Sequence, residues 1–333
     1  MPDEGEPHER TWMAFGASAQ IWGEDLVPVV QQNLADIANA IVAFEPVTIL
    51  VRDSDIDTAR TLLDAAVEIQ PAELDDLWIR DTGPVFVVGD DDGTPVLGGV
   101  NFNFNGWGDK QEHAADARVA GEVTDAAEAT AVPTELVLEG GGLEVDGHGT
   151  AIITRSCVLN DNRNPGWSQE DVEAELSRLL GIRSVIWLPG IAGRDITDGH
   201  TDFYARFVGP GQVVAALDDD PESYDYAVTR EHLEILRAAT DAEGNPLTVT
   251  TLTAPTVLRD TEAAEDFAAG YINFYVCNGA VIVPQFGDDD ADAAARDALA
   301  ALYPDREIVQ VDIDGIAAGG GGIHCATQQQ PRR

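Results

Sequence analysis

The sequence predicts an α/β fold built from repeated modules. Four pairs of β-rich runs are separated by short turns, a helical pattern follows each pair, and an apolar run follows each helix. This unit recurs at intervals of roughly 55 to 70 residues, longer than the common solenoid repeats. The pattern favours one domain, residues 1–333, of ββαβ modules around an axis. An ordinary mixed α/β sheet with antiparallel edges is the alternative that the pattern leaves open.

Turn residues and apolar periodicity locate the elements in chain order. Gly, Asn and Asp tolerate the backbone of tight turns, and they punctuate hairpins that begin at residues 84–88, 142–145, 203–208 and 272–276. Helical spacing predicts helices over residues 27–43, 58–67, 113–130, 168–180, 222–240 and 289–302. Apolar runs after the last four helices predict strands over Thr134–Leu138, Ser184–Leu188, Leu247–Leu252 and Glu307–Val311.

The chain is strongly acidic. Its 333 residues include 60 acidic and 19 basic ones, for a net charge of −41, and Lys110 is the only lysine. Such a surface repels nucleic acids and anionic membranes, so neither is expected as a partner. Adaptation to high salt and replacement of lysine by arginine both explain this composition, and both interpretations stay open.

Cysteine usage and the apolar runs predict a cytoplasmic, soluble protein. Cys157, Cys277 and Cys325 cannot all pair, and their spacing lacks the CxxC pattern of zinc and redox sites. Residues 1–6 carry neither the basic region nor the apolar core of a signal peptide. No apolar run reaches the roughly 18 to 20 residues that a membrane span requires.

Polar residues stand at the entrances of successive hairpins. Asp81 precedes the first hairpin, Glu139 the second, and His200 and Asp202 the third. Equivalent positions in repeated modules face a common axis, so we expect these side chains to meet Cys325, which follows a run of four glycines. Singly, each has an ordinary explanation: an ion pair, a turn cap, a hydrogen-bonded core histidine or a buried thiol.

Together these residues suit attack on a cationic carbon. Asp81 and Asp202 would accept hydrogen bonds from a planar guanidinium. The Cys325 thiolate would add to its central carbon. His200 would protonate the departing ammonia and then activate water, while Glu139 would orient the imidazole.

His324 is the competing base because it neighbours the thiol. Adjacent side chains of an extended segment point to opposite faces, and His200 has a carboxylate two residues away on its own face. We therefore assign the role of base to His200.

The chain resembles the agmatine deiminase and bacterial peptidyl-arginine deiminase-like family of the pentein, or guanidine-modifying, superfamily. Ordered motifs carry the resemblance nearly from end to end: Trp78-x-Arg80-Asp81-x-Gly83-Pro84, Phe104-Asn105-x-Trp107-Gly108, Glu139 to Gly142, Asn162-Arg163-Asn164-Pro165, Trp187-Leu188-Pro189-Gly190, Thr197-Asp198-Gly199-His200-x-Asp202 and Ile323-His324-Cys325-x-Thr327-Gln328-Gln329.

The resemblance implies a fivefold α/β propeller without a metal or an organic cofactor, a small guanidine as substrate and a homo-oligomer as the expected assembly. It implies hydrolysis of agmatine to N-carbamoylputrescine and ammonia, a step towards putrescine and polyamines. By position it gives the nucleophile to Cys325, the acid and base to His200, its partner to Glu139 and guanidinium binding to Asp81 and Asp202. Trp78 would line the substrate channel.

Two residues depart from the agmatine deiminase pattern. Ile196 stands where an acidic residue commonly receives the amine of agmatine, and Phe203 stands where Asn is common. An apolar side chain at that point removes a favourable charge interaction. Asp195 is a candidate replacement for the lost acid. A peptidyl arginine or a neutral-tailed guanidine as substrate, an amidinotransferase, and a non-catalytic guanidine-binding protein are the alternative functions.

Overall fold

The computed structural model describes residues 1–259 and 267–333, and the strands of these residues form five small sheets. The strands are β1 (His8–Phe15), β2 (Val47–Val51), β3 (Glu68–Pro71), β4 (Val85–Asp91), β5 (Thr94–Asn101), β6 (Thr130–Pro133), β7 (Leu143–Val145), β8 (Thr150–Thr154), β9 (Ser184–Leu188), β10 (Ala205–Gly209), β11 (Gln212–Leu217), β12 (Thr248–Thr253), β13 (Tyr275–Cys277), β14 (Ala280–Gln285), β15 (Glu307–Asp312) and β16 (Gln328–Pro331).

The helices are α1 (Ala19–Trp22), α2 (Val27–Val42), α3 (Ile56–Leu62), α4 (Ile79–Thr82), α5 (Gly106–Asp109), α6 (Asp116–Ala126), α7 (Arg155–Val158), α8 (Gln169–Leu180), α9 (Tyr226–Ala238), α10 (Asp289–Leu302) and α11 (Asp314–Ala317). Short 3₁₀ turns lie at Asp53–Asp55, Gly140–Gly142 and Thr201–Phe203. None of the helices in the described ranges is long and apolar enough to span a membrane.

Four sheets repeat one arrangement, with the strand orders β4-β5-β6, β7-β8-β9, β10-β11-β12 and β13-β14-β15. In each sheet the central strand pairs antiparallel with the first and parallel with the third. A long helix, α6, α8, α9 or α10, connects the second strand to the third. The predicted mixed α/β fold with repeated ββαβ units is therefore confirmed.

The fifth sheet, β16-β1-β2-β3, completes the set from both ends of the chain. Strand β1 pairs antiparallel with β16 and parallel with β2, and α2 connects β1 to β2. These elements have the order of a fifth module, extended by β3. Local sequence patterns miss this unit because no turn joins its two antiparallel strands.

One predicted strand is wrong. Residues 134–138 form no ladder, and the third strand of its sheet is β6, which ends at Pro133. The apolar alternation reflects burial instead, because Leu136 and Leu138 pack into a core cluster. The Asn164 side chain bonds both the N–H and the C=O of Val137, at 2.9 and 2.8 Å, in place of a neighbouring strand.

Helix boundaries follow local capping chemistry. The predicted helix over 168–180 is observed as α8, where Ser168 and Asp171 form a reciprocal capping box and Gly181 ends the helix at a φ of 73°. The helix predicted over 58–67 ends earlier, at Leu62, because Leu63 adopts an extended conformation.

Glu4 joins four segments of the chain at a buried position. One of its oxygens accepts from Arg206 Nη2 and the Val276 N–H, both at 2.8 Å. The other accepts from Arg80 Nη2 at 3.0 Å and lies 2.9 Å from His324 Nε2. Arg206 also bonds Glu144 in β7 at 3.0 Å. The side chain of Glu4 therefore links residues in or before the first strands of four sheets directly, and it reaches β7 of the fifth sheet through Arg206.

We predict that Glu4→Gln destabilises the fold by about 3–5 kcal/mol, because it leaves buried arginines without their counter-charge. Denaturant unfolding measures this free energy. The matched control is Glu6→Gln, an exposed carboxylate two residues away, which should change stability by less than about 0.5 kcal/mol. Equal effects of the two substitutions would contradict a central role for Glu4.

Candidate active site

The predicted site residues belong to separate modules but lie in one region of the structure. Asp81 lies in α4, Glu139 and His200 each precede a 3₁₀ turn, Asp202 lies within one, and Cys325 lies in the turn before β16. Asp81, His200 and Cys325 line a cavity of about 330 Å³, whose other described lining residues are Ile21, Trp22, Leu26, Asp76, Trp78, Trp107, Gln111, Ile196, Thr197, Phe203, Ala318, Gly319, Gly320 and Gly321.

Gly141 marks the point where three of these side chains meet. A methyl group placed on its Cα would lie 2.7 Å from His200 Nδ1, 2.9 Å from Asp81 Oδ1 and 3.1 Å from Asp202 Oδ2. The Gly141 N–H donates to Asp81 Oδ1 at 3.0 Å, and Trp107 Nε1 donates to the other Asp81 oxygen at 2.9 Å. Only glycine fits here, since any Cβ would displace the polar atoms.

His200 lies between two carboxylates. Its Nε2 is 3.3 Å from Glu139 Oε2 and its Nδ1 is 3.7 Å from Asp81 Oδ2. Arg163 Nε donates to the second Glu139 oxygen at 2.7 Å, and Cys157 donates to Glu139 Oε2 at 3.4 Å. The arginine and the imidazole together hold Glu139 in one orientation.

Cys325 contacts Asp202 and Asn273. Its thiol donates to Asp202 Oδ2 at 3.4 Å, and Asn273 Nδ2 donates to the sulfur at 3.4 Å. Asn273 Oδ1 also accepts from the Cys325 N–H at 3.3 Å. Asp202 Oδ1 is buried and has no hydrogen-bond partner among the described residues. That oxygen can accept a donor from a ligand.

His324 has a different environment from His200. Its Nδ1 lies 2.8 Å from Asp202 Oδ2 and its Nε2 lies 2.9 Å from Glu4 Oε2. Both ring nitrogens face carboxylates, so His324 bridges Glu4 to Asp202.

Burial and neighbouring carboxylates disfavour ionisation of Cys325 and Asp81. Burial raises the pKa of the Cys325 thiol well above its ordinary value, and Asp202 and Asp81 raise it further. Burial also raises the pKa of Asp81, and the neighbouring Glu139 and Asp202 act in the same direction while His200 opposes them. A cation in the cavity would reverse both shifts.

The pKa shifts of His200 and Glu139 favour the charged form of each group, unlike those of Cys325 and Asp81. Burial alone lowers the pKa of His200, but Asp81, Cys157 and Glu139 outweigh it and raise that pKa well above its ordinary value. Burial raises the pKa of Glu139, but His200 and Arg163 outweigh it and lower that pKa. His200 is therefore a protonated imidazole beside an ionised carboxylate near neutral pH.

The candidate substrate-binding residues separate into two groups. Trp78, Ile196 and Phe203 line the cavity. Asp202 is outside the set of described lining residues, and so is Asp195, whose role as a replacement acid stays a prediction. Asp195 Oδ1 accepts from the Thr197 N–H and hydroxyl and from the Gly199 N–H, so it stabilises the loop that precedes His200.

Four further residues at the site carry no clear signal in the sequence. Asn273 stands at the entrance of the fourth hairpin, where the positional rule would have found it, although its amide gave no catalytic signal. Trp107 and Arg163 lie in motifs of the family resemblance, but their contacts with Asp81 and Glu139 depend on loops distant in sequence. Asp76, a buried carboxylate in the cavity wall, was also missed.

Glu139, Cys157 and His200 offer three potential metal ligands within 4.8 Å of one another. Arg163 lies 2.7 Å from the same carboxylate and brings a positive charge to this position. A guanidinium there disfavours a second cation, so the cluster is better suited to hydrogen bonding than to metal binding.

Comparison with known proteins gives consistent matches along the chain. The family model of Porphyromonas-type peptidyl-arginine deiminases matches residues 1–331. A Streptomyces coelicolor protein provisionally named agmatine deiminase is 46% identical over 341 residues, covering 100% of this chain and 98% of that protein. The agmatine deiminase of Stutzerimonas stutzeri is 38% identical over 354 residues, covering 99% and 95%. The solved agmatine deiminase of Enterococcus faecalis has a TM-score of 0.92 and 32% identity, covering 100% and 96%.

The five sheets and the polar cavity define an α/β protein of the pentein type. More narrowly, the chain belongs to the Porphyromonas-type peptidyl-arginine deiminase family. The family predicted from the sequence motifs is confirmed.

We predict that Gly141→Ala weakens binding of an alkylguanidine by about 10- to 100-fold, because the new methyl group displaces His200 and Asp81. Isothermal titration calorimetry measures the change. Gly121→Ala in α6 is the matched control, since no atom outside the backbone of its own helix would lie within 4 Å of the added methyl group. It should leave binding unchanged and stabilise the helix by about 0.5–1 kcal/mol. Unchanged binding in Gly141→Ala would show that ligands do not use this point of convergence.

Proposed function

We propose that this protein is an agmatine deiminase, a hydrolase of C–N bonds that converts agmatine and water into N-carbamoylputrescine and ammonia. The observation that carries the proposal is the buried Asp202 carboxylate: its Oδ2 accepts from the Cys325 thiol, and its Oδ1 has no partner among the described residues. A guanidinium is planar and supplies N–H donors in a fixed geometry that suits paired carboxylates. The names of the relatives support agmatine as the substrate that carries this guanidinium.

In the proposed mechanism Asp81 and Asp202 hold the guanidinium, and its charge lowers the pKa of the Cys325 thiol, which loses its proton to solvent. The thiolate adds to the guanidino carbon, and the protonated His200 gives its proton to the departing nitrogen, which leaves as ammonia. This forms a thiouronium intermediate on Cys325. His200, now neutral, removes a proton from water, which attacks the same carbon. The C–S bond then breaks and the hydroxyl proton passes to the departing thiolate, which releases the ureido product and restores the Cys325 thiol.

In this scheme Glu139 acts on the imidazole of His200, and Asn273 acts on the sulfur of Cys325. Glu139, held by Arg163, fixes the imidazole orientation and stabilises its charged form. Asn273 Nδ2 donates to the sulfur, which favours the thiolate over the thiol.

We also propose that the five sheets close into a fivefold pseudosymmetric propeller that forms a single catalytic domain over residues 1–333. Contacts between the first strands of neighbouring sheets, β7 with β10 and β16 with β4, support this arrangement. The Glu4 network at their centre supports it as well. Three free cysteines support a cytoplasmic protein.

We predict that Cys325→Ala lowers ureido formation from agmatine by more than about 10³-fold, since the covalent intermediate cannot form. A colorimetric ureido assay with parallel ammonia detection measures it. Cys277→Ala, at a buried thiol in β13, is the control and should retain turnover. Turnover by Cys325→Ala would exclude the proposed nucleophile. Amidino transfer to an added amine without ammonia would identify an amidinotransferase, and binding without turnover a guanidine-binding protein.

We predict that a cationic haloacetamidine alkylates Cys325 faster than a neutral haloacetamide at the same pH. Asp81 and Asp202 attract the cation, whereas the raised thiol pKa leaves little thiolate for the neutral reagent. Alkylation by the neutral reagent should continue to rise with pH above about 9. Peptide mass mapping separates Cys325 from Cys157 and Cys277. Equal rates for both reagents at neutral pH would contradict an anionic pocket around the thiol.

A further inference from the structure

The cavity wall contains a second carboxylate whose charge no described cation balances. Asp76 is 2% exposed and lines the cavity. Its Oδ1 accepts from Trp22 Nε1 at 2.7 Å and from the Leu77 N–H at 3.0 Å. Its Oδ2 accepts from Trp78 Nε1 at 3.0 Å and Gln111 Nε2 at 3.1 Å. All four donors are neutral, so the carboxylate is well hydrogen-bonded while its negative charge remains uncompensated.

The two indoles that Asp76 holds form a paired aromatic surface in the same cavity. Trp22 and Trp78 have ring centroids 5.8 Å apart and an interplanar angle of 34°. This spacing leaves no room for a group between the rings, so a ligand would contact the sides that face the cavity. An indole ring attracts cations through the negative potential of its face. The nearby carboxylate strengthens that attraction.

The glycine run is fitted to these rings. A methyl group on Gly319 would lie 2.1 Å from Trp22 Cη2, and one on Gly321 would lie 2.1 Å from Trp78 Cζ3. The run 319–322 therefore lets the indoles approach the backbone that leads to Cys325. This packing couples the aromatic pair to the segment that carries the thiol.

We propose that Trp22, Trp78 and Asp76 form the subsite for the distal ammonium of the substrate, in place of an acidic side chain at position 196. The inference rests on the proposed deiminase function and names its substrate class, a guanidine with a cationic tail. Ile21, Leu26, Ile196 and Phe203 supply apolar contacts for the methylene chain between the two charged ends.

The same charges disfavour free arginine. The charged or titratable side chains among the described cavity-lining residues are Asp76, Asp81, His200 and Cys325. His200 serves the reacting end, and no lysine or arginine in that set can pair with an α-carboxylate. A carboxylate on the substrate tail would face the uncompensated charge of Asp76.

The test compares agmatine with pentylguanidine, in which a methyl group replaces the ammonium. Wild-type protein should prefer agmatine by about 10-fold or more in kcat/KM, and Trp22→Leu should reduce that preference by roughly 3- to 30-fold, mainly through KM. Trp22→Phe keeps an aromatic ring without the N–H and should have a smaller effect. Asp76→Asn should also reduce the preference, and arginine should be the poorest of the three substrates.

Glu173→Gln is the matched control, because Glu173 accepts the Trp187 indole N–H at 2.7 Å outside the cavity. It should leave the preference unchanged, and thermal unfolding monitors the fold of every variant. Equal losses for both substrates, or no preference in the wild-type protein, would overturn the inference. If no guanidine gives a ureido product, the deiminase proposal fails. Calorimetric binding of agmatine and pentylguanidine to wild-type and Trp22→Leu protein then decides the subsite separately.

Discussion

The buried carboxylate of Glu4 is the interaction on which both the fold and the site depend. Its oxygens accept hydrogen bonds from Arg80, Arg206 and the Val276 N–H, and one of them lies 2.9 Å from His324 Nε2. These partners belong to segments in or before the first strands of different sheets. Desolvation offsets much of the Coulomb energy of such a buried network, but removing one partner is strongly destabilising because it leaves the remaining buried charges unpaired. The arrangement reaches the site directly, because His324 bridges Glu4 to Asp202 and the Arg80 N–H donates to the Cys325 carbonyl at 3.2 Å.

The site concentrates negative potential where the proposed substrate carries positive charge. Asp81, Glu139 and Asp202 are all buried, and Asp81 and Cys325 titrate above their ordinary ranges. A guanidinium in the cavity would lower both pKa values, because it stabilises the thiolate and the carboxylate. In the proposed mechanism, binding of the guanidinium and activation of the Cys325 thiol are thereby linked.

Residues that follow a local rule could be predicted from the sequence, whereas residues that depend on tertiary contacts could not. Asp81, Glu139 and His200 stand at hairpin entrances, so pseudosymmetry alone indicated that they meet. Residues 134–138 were wrongly predicted as a strand, because alternate burial of apolar side chains gives the same sequence pattern as a β-ladder. Here the Asn164 side chain, and not a neighbouring strand, bonds the backbone of Val137. The fifth module escaped detection because β16 and β1 lie at opposite ends of the chain. Asp76 escaped detection because one of its indole partners, Trp22, lies in α1 and is distant in sequence.

Asp202 and Asp76 illustrate two ways in which a carboxylate can recognise a cation. Asp202 keeps one oxygen free of described partners, so it can form a directional hydrogen bond and orient a planar group. Both oxygens of Asp76 already accept two hydrogen bonds each from neutral donors, so Asp76 can act on a cation only through the electrostatic field of its negative charge. Orientation matters at the carbon that is attacked, while the end of a flexible chain needs only its charge matched. An apolar Ile196 is compatible with such a tail, because the methylene chain and not the ammonium would then pack against it.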